Sequence, residues 1–346
     1  MSARQRTILS VAYPFAAVGP DAVGGAEQVL AKLESALVRR AFRSVVAAHA
    51  GATVAGELFG VTVPEGLLTP EVRMTVERSM QSAIDAATTA SRVDLVHLHG
   101  IDFDRYTLPE HVPVLVTLHL PPARYPTAIW ELPERYTLQC VSESQKAACP
   151  INARDRLVVI ENGVPLHPAD ENTRRDAFAL LLSRICPEKN LHTAMDAARR
   201  AGIRVVLAGK VYPYPEHLDY FAREIQPRLC DAASFVGPVG GDAKLRLLQQ
   251  ARCLLVPSVA EETSSLVAME AIEAGTPVVA MRSGALPMIV EDGRTGFLVN
   301  DGAGMEAVMG RLDEIDPEVC RKVARERFGA DAMVDRYIAL YERLMQ

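Results

Sequence analysis

The sequence predicts an α/β protein of two doubly wound domains facing each other across a cleft. Three observations predict it. The chain has 346 residues, roughly twice the length of a common domain. Short Val/Leu/Ile/Ala runs alternate with helix-period segments along its whole length. A polar break with two prolines and a glycine, ENGVPLHPADENTRRD at residues 161–176, divides it near the middle. Apolar runs that do not alternate suit parallel strands covered on both faces, and strand–helix alternation makes such sheets parallel.

The first series of strands is expected at residues 7–13, 44–49, 94–99, 113–119, 137–142 and 156–160. The second is expected at 178–184, 203–209, 233–237, 253–258, 277–281 and 296–299. Residues 26–40 place Val29, Leu30, Leu33 and Leu37 on one helical face, and 242–251 and 266–274 behave similarly. A last helix over 330–345 carries Met333, Tyr337, Leu340, Tyr341 and Leu344 on one side. The expected organisation is an N-terminal domain over 1–165, a C-terminal domain over 166–329, and a helix over 330–346 packing back on the N-terminal domain. Sheets of this kind bind ligands at the carboxyl ends of their strands.

Composition excludes several classes. Hydrophobic residues make up 49% and charged residues 23%, as in ordinary globular proteins. A net charge of -6 argues against a nucleic-acid binder, which needs a basic face. Arg39, Arg40 and Arg43 form one local basic patch. It reads as a weak membrane-surface contact or, more simply, as cations at a helix C-terminus. No apolar run approaches the ~18 residues of a membrane span, and the polar first six residues lack the core of a signal peptide. Cys140, Cys149, Cys186, Cys230, Cys253 and Cys320 show no C-x-x-C pair and no histidine at metal-site spacing. They read as reduced packing residues of a cytoplasmic protein, monomer or homodimer.

Four groups of residues can carry chemistry. In EETSSLVAMEAIEAGTPVVA, Glu262 follows a strand, Ser264, Ser265 and Leu266 open a helix, and Glu270 lies inside that helix. Amides at such a helix start favour an anion, and two carboxylates can grip separate hydroxyls of one ligand. The plainer reading is a capped surface helix with two solvated glutamates. Arg184 and Lys189, at the end of an apolar strand in LLSRICPEKN, suit a diphosphate, one as a planar fork and the other as a mobile point charge. The alternative is a solvated loop with an ion pair to Glu188. Gly24 and Gly25 open the first helix, where bare backbone lets amides approach a phosphate. His119 ends its strand at the expected ligand side. His97 and His99 share a face of the neighbouring strand and read as packing residues.

Together these segments resemble the family 4 retaining glycosyltransferases of GT-B fold, the glycosyl transferases group 1. Glu262 and Glu270 with Gly275-Thr276-Pro277-Val278-Val279-Ala280 are similar to the family's E-x7-E and G-x-P-V segment. Arg184 and Lys189 match its G-R-[LI]-x-x-x-K strand end, Gly24-Gly25 with Glu27 its G-G-x-E loop, Thr117 with His119 its T-x-H, and Ala208-Gly209 its A-G-x-G loop. The chain departs at Thr263-Ser264-Ser265, where the family commonly has Gly-Phe-Gly.

The resemblance implies two Rossmann-like domains, with the acceptor on the N-terminal one and a nucleotide sugar on the C-terminal one. It further implies sugar transfer from an NDP-sugar, with uracil the base on family frequency, to an acceptor hydroxyl with retention. Glu262, His119, Arg184 and Lys189 are then the catalytic set. Gly24, Gly25, Arg184, Lys189, Gly209, Ser264, Ser265, Leu266 and Glu270 hold the donor. Glu270 takes the ribose, Glu262 a sugar hydroxyl, and Arg184 with Lys189 the diphosphate. No D-x-D pair ends a strand among suitable neighbours, and Asp102-x-Asp104 reads as a polar loop, so no cofactor or essential metal is expected. A GT-B epimerase and an inactive nucleotide-sugar-binding protein are the competing readings. The departure at residues 263–265 leaves the sugar open, and the acceptor is a sugar, lipid-linked or small molecule.

Overall fold

A computed structural model describes residues 4–168 and 178–346. The chain divides into two units: residues 1–162 with 331–346, and residues 163–330. The N-terminal boundary falls a few residues before the expected one, inside the polar break.

In the first unit, seven strands run β1 (Thr7–Val11), β2 (Arg43–His49), β3 (Glu57–Val61), β4 (Leu95–Leu98), β5 (Val114–Leu118), β6 (Tyr136–Cys140) and β7 (Val158–Val159). Their order across the sheet is β3-β2-β1-β4-β5-β6-β7, and every pair is parallel. Helices α1 (Gly25–Arg39), α2 (Pro70–Ala90) and α3 (Glu143–Ala148) connect them. The strand order reverses between β1 and β4, the switch point where two loops diverge and leave a crevice.

Strand β3 is the element that the apolar pattern did not announce. It is an edge strand, covered on one side only, with a single buried residue, Val61. It therefore never needed a continuous apolar run. A buried carboxylate anchors the approach to it. Glu34 of α1 is 2% exposed and accepts from the amides of Ala55 (2.6 Å) and Gly56 (3.2 Å) and from Ser44 Oγ (3.4 Å). Helix α2 starts where its residues require: Thr69 Oγ1 accepts from the Val72 amide, and Pro70 fills the first turn.

The second unit holds β8 (Phe178–Leu182), β9 (Arg204–Ala208), β10 (Ala233–Phe235), β11 (Cys253–Val256), β12 (Val278–Met281) and β13 (Gly296–Val299). The order is β10-β9-β8-β11-β12-β13, again wholly parallel, with its switch point between β8 and β11. The helices are α4 (Leu191–Arg200), α5 (Pro215–Tyr220), α6 (Gly241–Gln250), α7 (Leu266–Glu273), α8 (Leu286–Ile289), α9 (Gly302–Val308) and α10 (Pro317–Arg327). Strands β11 and β12 are buried at every residue, as strands covered on both faces must be. The chain's entry into and exit from this unit lie against each other. Val164 donates to the Phe328 carbonyl (2.7 Å) and accepts from the Ala330 amide (2.9 Å). A Cβ on Gly163 would meet Ala330 Cα at 2.8 Å, so the crossing requires glycine. The part of the polar break beyond residue 168 lies outside the described residues.

Helix α11 (Ala330–Leu344) returns the chain to the first unit. Its Tyr337 and Tyr341, one turn apart, are fully buried. The basic patch is largely paired within the first unit: Arg40 bonds Asp335 (2.5 Å), Arg43 bonds Glu57 (2.9 Å) and Arg39 donates to Ser35 Oγ (2.8 Å). No helix among the described residues is long and apolar enough to cross a membrane. Glu34→Ala removes the acceptor from two enclosed amides. It is expected to cost about 1–3 kcal/mol of stability in urea unfolding, with Glu34→Gln costing less; an unchanged midpoint for the alanine variant would refute this anchoring role.

Candidate functional site

The second unit gathers charge at its switch point. Beyond β8, Arg184 and the short turn Pro187–Lys189 lead into α4. Beyond β11, residues 257–265 lead into α7. The two loops are knit by backbone, since the Glu188 carbonyl accepts from the Val259 amide (3.1 Å) and from Ser258 Oγ (3.3 Å). Asn190 Nδ2 donates to the Pro257 carbonyl (3.2 Å). This stitching brings Lys189 Nζ to 2.5 Å from Glu262 Oε1, with both side chains largely enclosed. Glu262 is gripped from its other side by the loop after β12. Ala285 donates to the Glu262 carbonyl (2.7 Å), and Gly284 at φ +52 passes so close that a Cβ would lie 2.3 Å from that oxygen.

Arg184 takes the partner that the alternative sequence reading gave it. Its guanidinium lies 3.8 Å from Glu188 Oε1, and it is more exposed than Lys189. Gly209 follows β9 at φ +153, and its amide donates to the Gly237 carbonyl (2.8 Å). A Cβ there would fall 1.8 Å from the Ser183 carbonyl, so glycine lets the loops after β8 and β9 lie side by side.

Helix α7 begins with Ser265 as N-cap and no side chain capping its first turn. Ser264 Oγ is enclosed without a hydrogen-bond partner, and Leu266 is buried. The helix's positive end therefore lies at the carboxyl end of β11, beside the loop that carries Glu262. Glu270, one turn further in, is 9% exposed and bonds Lys244 Nζ of α6 at 2.7 Å. Lys244 escaped the sequence reading because one lysine on an amphipathic helix has no distinguishing pattern. Its signal is spatial: it is the cation that α6 delivers to the second glutamate of E-x7-E.

The remaining predicted residues belong to the first unit. Gly24 is the N-cap of α1 and Gly25 its first residue. The Glu27 side chain folds back so far that a Cβ on Gly24 would meet its Oε2 at 1.8 Å, which places a carboxylate at this helix start. At the unit's own switch point lies a pocket of about 300 Å³ whose lining includes Tyr13, Phe15, Arg73, Glu77, Asp102 and Arg105. Asp102 is more than loop polarity. Its Oδ2 accepts from Tyr106 OH (2.5 Å), its Oδ1 is enclosed without a partner, and burial lifts its carboxyl to about 6. Asp104 is exposed.

His119, just past β5, ends a buried chain. His99 Nδ1 lies 3.1 Å from His119 Nε2, and His99 Nε2 lies 3.1 Å from His97 Nδ1. His97 Nδ1 also meets Tyr341 OH (2.6 Å), and its Nε2 meets Thr117 Oγ1 (2.7 Å). Counting protons from the far end assigns the His97 tautomer. Gln139 Nε2 donates to the Cys140 and Ile160 carbonyls, so Gln139 Oε1 is the acceptor for Thr117 (2.7 Å) and Tyr337 (2.8 Å). With its one proton spent there, Thr117 accepts from His97 Nε2–H. His97 Nδ1 is then unprotonated, and its one lone pair accepts from Tyr341. His99 Nδ1 and His119 Nε2 share one proton between them at 3.1 Å. The same-face placement of His97 and His99 is as the sequence predicts. Their bonding to a tyrosine 244 residues away from His97 was not legible there.

Comparison with known proteins agrees with this architecture. The glycosyl transferases group 1 family profile matches residues 176–314, which cover most of the second unit. The chain is similar to this family over that stretch, and its fold is the pair of Rossmann-like domains seen in GT-B enzymes. More particularly, it is 30% identical over 234 residues to the D-inositol 3-phosphate glycosyltransferase of Mycolicibacterium smegmatis, covering 61% of this chain and 53% of that relative. The chain thus spans about half the length of that curated relative. Among solved structures it resembles sucrose-phosphate synthase from Thermosynechococcus elongatus, with TM-score 0.79 and 18% identity over 98% of this chain and 99% of that one. It also resembles Anabaena HepE, solved in complex with UDP and glucose, with TM-score 0.73 and 17% identity over 97% and 99% of the two chains.

Two predictions follow from the histidine chain. Nitrogen-15 NMR is expected to find His97 protonated on Nε2, and Thr117→Val to shift its proton toward Nδ1; an Nδ1–H signal for His97 in the parent protein would break the assignment. Burial also holds the imidazoles neutral, His97 and His99 well below the usual range and His119 down at about 4. The unfolded chain takes up those protons near pH 6.5, so stability is full above that value. It falls as the pH drops toward 4, by up to about 1.4 kcal/mol per pH unit for each histidine. Urea unfolding at pH 7 and pH 5 measures it.

Proposed function

We propose that this chain transfers a sugar from a uridine-diphosphate sugar to an acceptor hydroxyl, with retention of anomeric configuration and without a catalytic metal. The observation that carries the reading is the Lys189–Glu262 pair at the switch point of the second unit, with Arg184 beside Lys189 on the same loop. Crevices at switch points are where doubly wound sheets take ligands. The UDP held by the Anabaena relative supports uridine as the base.

The chemistry follows from the charges. In the structure, Lys189 is neutralised by Glu262, Arg184 faces Glu188, and Lys244 is neutralised by Glu270. A nucleotide sugar offers Lys189, Arg184, Glu262 and Glu270 new partners. The diphosphate takes Lys189 and Arg184, a sugar hydroxyl takes Glu262, and the ribose hydroxyls take Glu270 with Lys244 beside it. As the bond from the anomeric carbon to the diphosphate oxygen breaks, its electron pair moves onto the diphosphate. The two cations and the start of α7 stabilise that developing charge without a metal. The diphosphate replaces the carboxylate partners of both cations, and the sugar hydroxyl gives the enclosed Glu262 a hydrogen-bond donor in place of Lys189. The acceptor is assigned to the pocket of the first unit, where Asp102 and Tyr13 can hold hydroxyls and Arg73 and Arg105 can meet polar groups.

Steady-state assays with a panel of UDP-, GDP-, ADP- and TDP-sugars test the reading. Glu262→Gln and Lys189→Met are expected to lower kcat about 100- to 1,000-fold, the range for removing one group that stabilises a transition state. Glu270→Gln is expected chiefly to raise the donor KM, and chelator-treated enzyme to keep its turnover. Donor isomerised without acceptor would point to an epimerase. Binding without turnover would point to an inactive module, and thermal stabilisation by no nucleotide sugar would sink the proposal.

A further inference from the structure

One cluster beside the charged loop includes two residues, Cys186 and His217, that take no part in the proposed sugar transfer. Cys186 and Glu188, on the segment between Arg184 and Lys189, meet His217 of α5 from 31 residues further along the chain. The thiol sulfur, a carboxylate oxygen and a ring nitrogen all lie within 4.8 Å of one another. Cys186 is fully buried and His217 is 8% exposed. His217 Nδ1 is enclosed and has no hydrogen-bond partner, which is costly for a buried polar atom unless something else satisfies it. The rings of Tyr212 and Tyr214 stand edge-on to the imidazole at 83° and 80°, fixing its orientation. The Glu188 backbone is held by Ser258 and Val259.

We propose that Cys186, Glu188 and His217 bind a zinc-type divalent cation that staples the Arg184–Lys189 loop to α5. The donor set decides the class of metal. One soft sulfur, one imidazole nitrogen and one carboxylate oxygen suit Zn²⁺ and disfavour Mg²⁺ or Ca²⁺, which take oxygen. Ligand atoms around a tetrahedral Zn²⁺ stand about 3.5 Å apart, so side chains need to close by about 1 Å. Binding forms one sulfur–metal, one nitrogen–metal and one oxygen–metal bond. The thiol proton leaves to solvent, and water takes the fourth position. Thiolate and carboxylate together cancel the charge of the ion, so Arg184 faces a neutral centre in place of the bare Glu188 carboxylate. The role is structural, separate from the bond-breaking step, and its test does not depend on sugar transfer.

The test uses the full chain, stripped with chelator and titrated with Co²⁺ and then Zn²⁺. One equivalent of Co²⁺ is expected to bind with a thiolate-to-cobalt charge-transfer band and tetrahedral visible absorption, both bleached by one equivalent of Zn²⁺. Cys186→Ser and His217→Asn are each expected to weaken binding by about 100-fold, the upper end of what even an outer partner of a metal site costs. Cys230→Ser, which removes the one exposed cysteine, is expected to leave the band intact. Circular dichroism checks that the variants fold. A second readout guards the result: Zn²⁺ should raise the Tm of the parent protein and not that of Glu188→Gln. A band that survives Cys186→Ser or vanishes with Cys230→Ser, or a parent protein that binds no stoichiometric metal, overturns the proposal.

Discussion

Parallel strands covered on both faces leave no room for charge along their length. In both units the central strands are buried from end to end, so ionic groups concentrate where the ladder stops and the loops begin. That constraint places Arg184, Lys189 and Glu262 past the ends of β8 and β11, and His119 past the end of β5. The switch points then separate neighbouring loops enough to form a crevice between them. Glycines at 209 and 284 let the loops flanking that crevice lie closer than any side chain would permit.

The exception to the rule is instructive. His97, Thr117 and Gln139 are polar, fully enclosed, and sit on strands rather than at their ends. They are tolerated because each is satisfied by the next, and because Tyr337 and Tyr341 close the network from outside the sheet. Such a chain has a direction. The two carbonyls that occupy the Gln139 amide decide where the protons of Thr117 and His97 lie.

How much of this was legible depended on whether the signal was local. Each of the twelve apolar runs became a strand, because burial on both faces writes itself into consecutive residues. The edge strand β3 was missed for the same reason, having one covered side and no such run. The glutamates and the Arg184–Lys189 segment were legible as spaced motifs, since a loop between strand and helix has a nearly fixed length. Lys244 was not, because an ion pair formed across two helices leaves no mark on either sequence. The association of Cys186 with His217 was hidden more deeply. The absence of metal-site spacing was a true observation about the chain, but a β-strand, a helix and two loops bring the residues together without any such spacing. Asp102 looked like loop polarity because Tyr13, Phe15, Arg73 and Glu77, which line the same pocket, lie far from it in sequence.

The return of α11 to the first unit also bears on how the protein is made. The first unit is interrupted by about 170 residues, and the fully buried Tyr337 and Tyr341 lie beyond that interruption. During synthesis His97, Thr117 and Gln139 must wait for Tyr337 and Tyr341 while the whole second unit leaves the ribosome. At ~5–20 residues per second the delay is about 10–30 s. The unit whose strands are made first therefore completes its core last, and the uninterrupted second unit can reach its native state ahead of it.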